Sequence, residues 1–266
     1  MSSNFKEIIE KYGIVPKKSL GQNFLIDKNI LDKIIKSIDL SKEDRVLEIG
    51  PGLGMITERL NRTNKVVAVE TDSLFVEILS DLKLKNTRIV EDDILEYIKK
   101  NKIAEYKVVA NLPYYLTSFL IRNLLEREDQ PKEIYLIIQK EVAERICTQN
   151  KKNLLAISVN YYALTKKLFN ISKNSFWPVP KVDSALIRII PNREYSKDDK
   201  NFFKIIKAGF SSPRKKLANN LSSGLNIPKD DIRKILEKNG LNVEARPESL
   251  SIDEWIIIQN ELGEIL

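Results

Sequence analysis

The sequence predicts an α/β protein built on a mostly parallel sheet with an antiparallel edge, followed by a small all-helical C-terminal part. Three observations carry that prediction. Short apolar runs alternate with stretches of helical period as far as Gln139, a glycine-rich turn follows the first clear strand, and strand-like runs stop near Pro191. Alternation of this kind is the signature of βαβ units, whose sheet is covered on both faces by helices.

In chain order, RVLEIG (45–50), KVVAVE (65–70), TRIVE (87–91), KVVAN (107–111) and EIYLIIQ (133–139) read as strands. Val, Ile and Leu dominate them, as expected of strands buried on both faces. Between them MITERL (55–60), LFVEILSDL (74–82) and SFLIRNLLER (118–127) have the helical period. TKKLFNIS (165–172) and SALIRIIP (184–191) lie near enough in sequence to pair as a hairpin, which supplies the antiparallel edge. PNREYSKDDK is then polar and aperiodic, so the domain boundary is placed there, giving residues 1–191 and 192–266. Beyond it Ser212 is suited to cap a helix with Pro213 at its first position, and residues 226–238 and 251–262 are amphipathic helices.

The chain has 266 residues, 42% of them hydrophobic, enough for a full core. It contains no histidine and only one cysteine, Cys147. That excludes an intramolecular disulfide, a Cys/His metal cluster and every histidine-dependent triad. No apolar run approaches the roughly 20 residues of a membrane helix, and the N-terminal stretch is amphipathic and charged. A reducing, cytoplasmic location without a membrane partner is expected, and a monomer, since no dimerisation segment stands out. The net charge of +7 is gathered in clusters, among them Lys17-Lys18 and Arg214-Lys215-Lys216. Such clusters suit the phosphates of a nucleic acid.

The turn Glu48-Ile49-Gly50-Pro51-Gly52-Leu53-Gly54 joins a strand to a helix, where glycine lets a ligand approach the main chain. Its spacing is G-x-G-x-G, whereas a dinucleotide site requires G-x-G-x-x-G. Glu70, at the end of the second strand, is placed to accept the hydroxyls of a ribose, a feature shared by NAD and S-adenosylmethionine sites. Asp93, at the end of the third, is placed to accept from an adenine amino group. Together they outline an adenosine cradle with no evident pyrophosphate partner.

Asn111-Leu112-Pro113-Tyr114-Tyr115 follows the fourth strand. A turn with two core aromatics is the plainer reading of these residues alone. The chemical reading starts from the exocyclic amine of adenine, whose lone pair is delocalised into the ring. Acceptors aimed at its N–H bonds favour the form in which that pair is localised. The side-chain oxygen of Asn111 is one acceptor, and the carbonyl of Leu112, directed by Pro113, is the other. Tyr114 offers a face for an extruded base, and Phe176, in FWPVPKVDSALI, is placed to close the pocket opposite it. Electrostatics and positioning then suffice without a histidine base.

PKKSLGQNFL (16–25), ExGPGLGxxT (48–57), NLPYY and FWPVPKVDSA together resemble the ribosomal RNA adenine dimethyltransferase family, most closely its small-subunit branch, from about Lys17 to Leu221. The resemblance implies a class I methyltransferase domain with a seven-stranded Rossmann-like sheet, and a helical C-terminal domain contributing to RNA binding. It implies S-adenosylmethionine as cofactor, no metal, and dimethylation of two adjacent adenosines near the 3′ end of 16S rRNA in the small ribosomal subunit or its precursor. Carried over by residue, it places Asn23 and Leu25 over the cofactor, Gly50 against it, Glu70 on its ribose, Asp93 on its adenine and Asn111 between cofactor and target amine. Leu112, Pro113, Tyr114 and Phe176 keep the roles argued above. Many members have Gly-Asp where this chain has Asp92-Asp93, and alignment favours Asp93; Pro213 stands where a polar or basic residue is common. SLGQNFL and RKKLANNL favour this branch over relatives that modify one adenosine of large-subunit rRNA. The intact NLPY motif argues against a purely non-catalytic RNA-binding assembly factor.

Overall fold

The computed structural model describes residues 5–17, 21–111, 117–148, 152–192 and 199–263. The chain divides into two compact units, Met1–Ala143 with Leu164–Pro191, and Glu144–Ala163 with Asn192–Leu266. The linear division at residue 191 expected from the sequence differs from this in one segment, since Glu144–Ala163 belongs with the helical unit.

The strands are β1 (Phe24–Leu25), β2 (Arg45–Ile49), β3 (Lys65–Glu70), β4 (Thr87–Glu91), β5 (Tyr106–Asn111), β6 (Glu133–Gln139), β7 (Ala163–Ile171), β8 (Phe176–Trp177) and β9 (Ser184–Pro191). Their seven-stranded sheet has the order β4-β3-β2-β5-β6-β9-β7. β4, β3, β2, β5 and β6 run parallel, and β9 is antiparallel to β6, with Leu136 opposite Ile187. The predicted antiparallel edge is thus present, with β9 and β7 as neighbours. In the middle of the sheet Val46, Leu47, Val108, Val109 and Ile134 to Ile138 are all buried, which explains why these strands read as unbroken apolar runs.

Six helices of this unit are α1 (Phe5–Tyr12), α2 (Lys28–Ser37), α3 (Thr57–Leu60), α4 (Ser73–Asp81), α5 (Ile94–Lys100) and α6 (Thr117–Leu125). Side chains set several of their starts. Asp27 caps α2 by accepting from Asn29 and Ile30, Asp72 caps α4 from Leu74, and Asp93 caps α5 from Leu95 and Glu96.

The remaining helices are α7 (Lys140–Cys147), α8 (Leu154–Asn160), α9 (Asp199–Gly209), α10 (Leu217–Leu225), α11 (Lys229–Lys238) and α12 (Ile252–Gly263). Within the helical unit, Tyr161 stacks on the buried Phe202 with ring centroids 3.7 Å apart, and Phe210 stacks on the buried Trp255. Gly224 lets α10 meet α9 closely, since a Cβ there would lie 2.6 Å from that of Ala208. The helix expected to begin at Pro213 begins instead at Leu217. The buried Asn220 side chain donates to the carbonyls of Gly209 and Ser212, and Lys215 N–H donates to Ser212 O, so residues 212–215 form a turn. Among the described residues no helix is long and apolar enough to cross a membrane.

Candidate functional site

The strand order reverses direction at β2: β3 and β4 lie to one side, β5 and β6 to the other. In open α/β sheets ligands bind at such a switch point, beyond the carboxyl ends of the strands. A cavity of about 280 Å³ lies there, lined by residues from the ends of β2, β3 and β5 and from the segments around β1 and β8. Asn23, Leu25, Gly50, Glu70, Asp93, Asn111 and Phe176, far apart in sequence, all line it.

The glycine turn forms its floor. Gly50, Gly52 and Gly54 have φ of +63°, +52° and +76°, a region that L side chains rarely adopt. A Cβ on Gly50 would meet no atom of the described residues within 4 Å, whereas one on Gly54 would lie 2.8 and 2.9 Å from the side chains of Leu82 and Leu79. Gly50 thus leaves open space for a ligand, and a side chain at Gly54 would displace the methyls of Leu79 and Leu82.

Glu70 is nearly buried and holds this turn to the end of β3. Its Oε2 accepts from Gly52 N–H at 3.1 Å, and its Oε1 accepts from Thr71 and Asp72 N–H at 2.8 and 3.1 Å. The side chain therefore has a structural duty that the sequence did not reveal; Oε1 is taken up by its backbone bonds, whereas Oε2, with one bond among the described residues, retains acceptor capacity. Asp93 uses Oδ1 for both cap bonds of α5, at 2.8 and 3.3 Å, leaving Oδ2 unengaged among the described residues. Asp92 instead accepts from Asp93 N–H and lies 3.7 Å from Lys100. Of the two neighbours, Asp93 has the freer acceptor.

Asn111 ends β5, and its Nδ2 donates to the carbonyl of Asn23 at 3.2 Å. A carbonyl can only accept, so this contact turns the amide oxygen of Asn111 the other way. Leu112, Pro113 and Tyr114, singled out with it, lie outside the described residues, as does Lys18. Phe176 pairs with Leu25 across the two-stranded sheet of β1 and β8, and both are buried.

Glu48 was missed as a site residue although it opens the glycine-turn motif. It is 2% exposed, lines the cavity, and its Oε2 has no hydrogen-bond partner among the described residues. Burial pushes its carboxyl up to about 8, with the nearby Thr57 hydroxyl working against the rise and the charge of Glu70 adding to it. The available signal was a lone acid inside an otherwise apolar strand.

The basic clusters divide. Lys17 pairs with Asp72 at 2.7 Å and Lys216 with Glu244, whereas Arg214 and Lys215 are exposed and have no ion pair among the described residues. No group of three His, Cys, Asp or Glu side chains gathers as a metal site among those residues.

Sheet topology, switch-point cavity and glycine turn define a Rossmann-like methyltransferase fold. Within that class, the model of the ribosomal RNA adenine dimethylase family matches residues 15–264, and the chain belongs to this family. Among its relatives, the ribosomal RNA small subunit methyltransferase A of Dehalococcoides mccartyi (strain 195) is 39% identical, covering 94% of this chain and 89% of the relative. The protein of the same name from Clostridium botulinum (strain Okra) is 40% identical, covering 99% and 100%. Among solved structures, a dimethyladenosine transferase from Plasmodium falciparum superposes with a TM-score of 0.78 at 26% identity, covering 90% of this chain and 96% of that one. The 23S rRNA methyltransferase ErmE has a TM-score of 0.71 at 21% identity, with 90% and 99% covered, a likeness of fold.

Proposed function

We propose that this protein transfers methyl groups from S-adenosylmethionine to the exocyclic amines of two adjacent adenosines near the 3′ end of 16S rRNA, in the small ribosomal subunit or its precursor. The observation that carries the reading is the convergence of Gly50, Glu70, Asp93 and Asn111 on one cavity at the sheet's switch point. Relatives named for small-subunit methylation match over nearly the whole chain, which supports the choice of substrate.

The residues present fit the cofactor. Gly50 leaves main chain open to a ligand, Glu70 retains acceptor capacity for ribose hydroxyls, and Asp93 Oδ2 is available to an adenine amine. When bound, S-adenosylmethionine supplies a methyl group on a sulfonium, an electrophile that needs no metal. Asn111 Oδ1 and the Leu112 carbonyl then accept from the target amine and localise its lone pair. Both hold the amine more strongly as positive charge develops, and the displaced proton leaves to water. Pro113 fixes the Leu112 carbonyl, while Tyr114 and Phe176 hold the extruded base. The helical unit contributes RNA contacts through Arg214 and Lys215, with Lys17, Lys18 and Lys216 as further phosphate ligands.

The test is methyl transfer from labelled S-adenosylmethionine to purified small and large ribosomal subunits lacking modification, followed by mapping of the label. Label on adjacent adenosines near the 3′ end of 16S rRNA is expected. Label confined to large-subunit rRNA would overturn the substrate, and cofactor and RNA binding without transfer would overturn the enzymatic reading.

A further inference from the structure

We propose that Phe24 is a positioning residue for methyl transfer, acting through the Asn23 carbonyl on the side-chain amide of Asn111. The inference rests on the reading of Asn111 as an acceptor of the target amine and goes beyond it by naming what aims that acceptor.

The Asn23 carbonyl belongs to the peptide bond that joins Asn23 to Phe24, so whatever fixes Phe24 fixes the direction of that oxygen. Phe24 is held on three sides. Its ring meets Phe75 edge-on at 5.3 Å, stacks with Trp177 at 6.3 Å, and occupies the space that Gly52 leaves open, where a Cβ would lie 3.1 Å from the ring. The main chain on its C-terminal side is clasped as well. Phe24 pairs with Trp177 and Leu25 with Phe176, Ile26 and Asp27 N–H both donate to Ser175 O, and Ser175 Oγ donates to Asp27. On the other side Asn23 turns its own amide back to Gly21 O at 2.9 Å. The Asn23 carbonyl is therefore preset, and it accepts from Asn111 Nδ2 at 3.2 Å.

Its chemical value follows from the symmetry of the carboxamide. Free to rotate, Asn111 presents its NH₂ to the target as readily as its oxygen, and an NH₂ facing the adenine amine repels it. A fixed acceptor on the Nδ2 side selects the productive orientation before the base arrives, so no reorganisation is needed during reaction.

The experiment measures methyl transfer to unmodified small subunits and calorimetric S-adenosylmethionine affinity for wild type, Phe24→Leu, Trp177→Leu, Asn111→Ala and Phe24→Leu/Asn111→Ala. Exchange of the Asn111 side-chain amide is followed by NMR in the free protein. Phe24→Leu is expected to lower kcat by about tenfold or more with cofactor affinity held within about threefold, and to speed exchange of the Asn111 amide. In the Asn111→Ala background it should cost little further, because the group it positions is already gone. Trp177→Leu follows the same pattern and carries the test should Phe24→Leu not fold. Unchanged kcat and amide exchange in the folded variants, a fall in cofactor affinity that matches the fall in kcat, or a full multiplicative loss in the double variant overturns the proposal. A wild-type protein that transfers no methyl group fails the functional reading instead, and the amide exchange then tests the orienting contact by itself.

Discussion

Two glutamates line the same cavity, Glu48 and Glu70, and both are buried, but they differ in the hydrogen bonds they accept. Glu70 is 8% exposed and accepts from three backbone N–H groups. Glu48 is 2% exposed, with one oxygen unpartnered among the described residues and a carboxyl raised to about 8. A buried charge without partners costs far more than a hydrogen-bonded one. The sign of the pH effect follows. Because the folded state binds this proton more tightly than the unfolded chain does, the stability Glu48 contributes is fully present below about 4.5 and is lost as pH rises through about 8. Glu48→Gln keeps the shape and removes the titration. Relative to wild type, the variant should gain stability between pH 5 and 9, on the order of a few kcal/mol, read as a widening gap in thermal midpoints. A gap independent of pH would mean that Glu48 does not titrate in this window.

At the scale of the element, the glycine turn makes a contrast between two identical substitutions. Gly50→Ala puts a methyl group where no atom of the described residues lies within 4 Å, so its cost is backbone strain of about 1–2 kcal/mol, and the protein should fold while losing S-adenosylmethionine affinity. Gly54→Ala adds the same strain to a clash with Leu79 and Leu82, and should lower stability by about 3 kcal/mol or more. Urea unfolding with calorimetric cofactor binding separates the two; equal destabilisation would contradict the packing argument. The turn was legible in the sequence because a strand, three glycines and a helix follow in immediate order. So were β2 to β6, since a strand covered on both faces has to be apolar throughout. β1 and β8 were not legible as strands, being two residues each and held by partners far away in the chain, Phe24 by Trp177 and Leu25 by Phe176. Nor was the grouping of Glu144–Ala163 with the helical unit, which depends on packing such as that of Tyr161 on Phe202. Locally, a serine before Pro213 looked like a helix start, and the buried Asn220 amide made it a turn instead.

For the molecule as a whole, the excess of seven positive charges matters less than how many of its cations are already neutralised. Lys17 and Lys216 have carboxylate partners, whereas Arg214 and Lys215 are exposed without one among the described residues. A phosphate contact strengthens binding by releasing counterions, and a cation already paired within the protein has to give up that partner first. Affinity for a 16S rRNA fragment should therefore fall on a log–log plot as salt rises from roughly 50 to 200 mM. Arg214→Ala/Lys215→Ala should weaken binding and flatten that slope by about 0.7–0.9 for each phosphate no longer neutralised, with S-adenosylmethionine affinity unchanged. Lys17→Ala and Lys216→Ala should each change the slope less. Filter binding across the salt series measures all three variants against wild type. If the paired lysines flatten the slope as much as the unpaired cations do, intramolecular pairing does not set the RNA contacts; a slope unchanged in every variant would place the phosphate contacts on other residues.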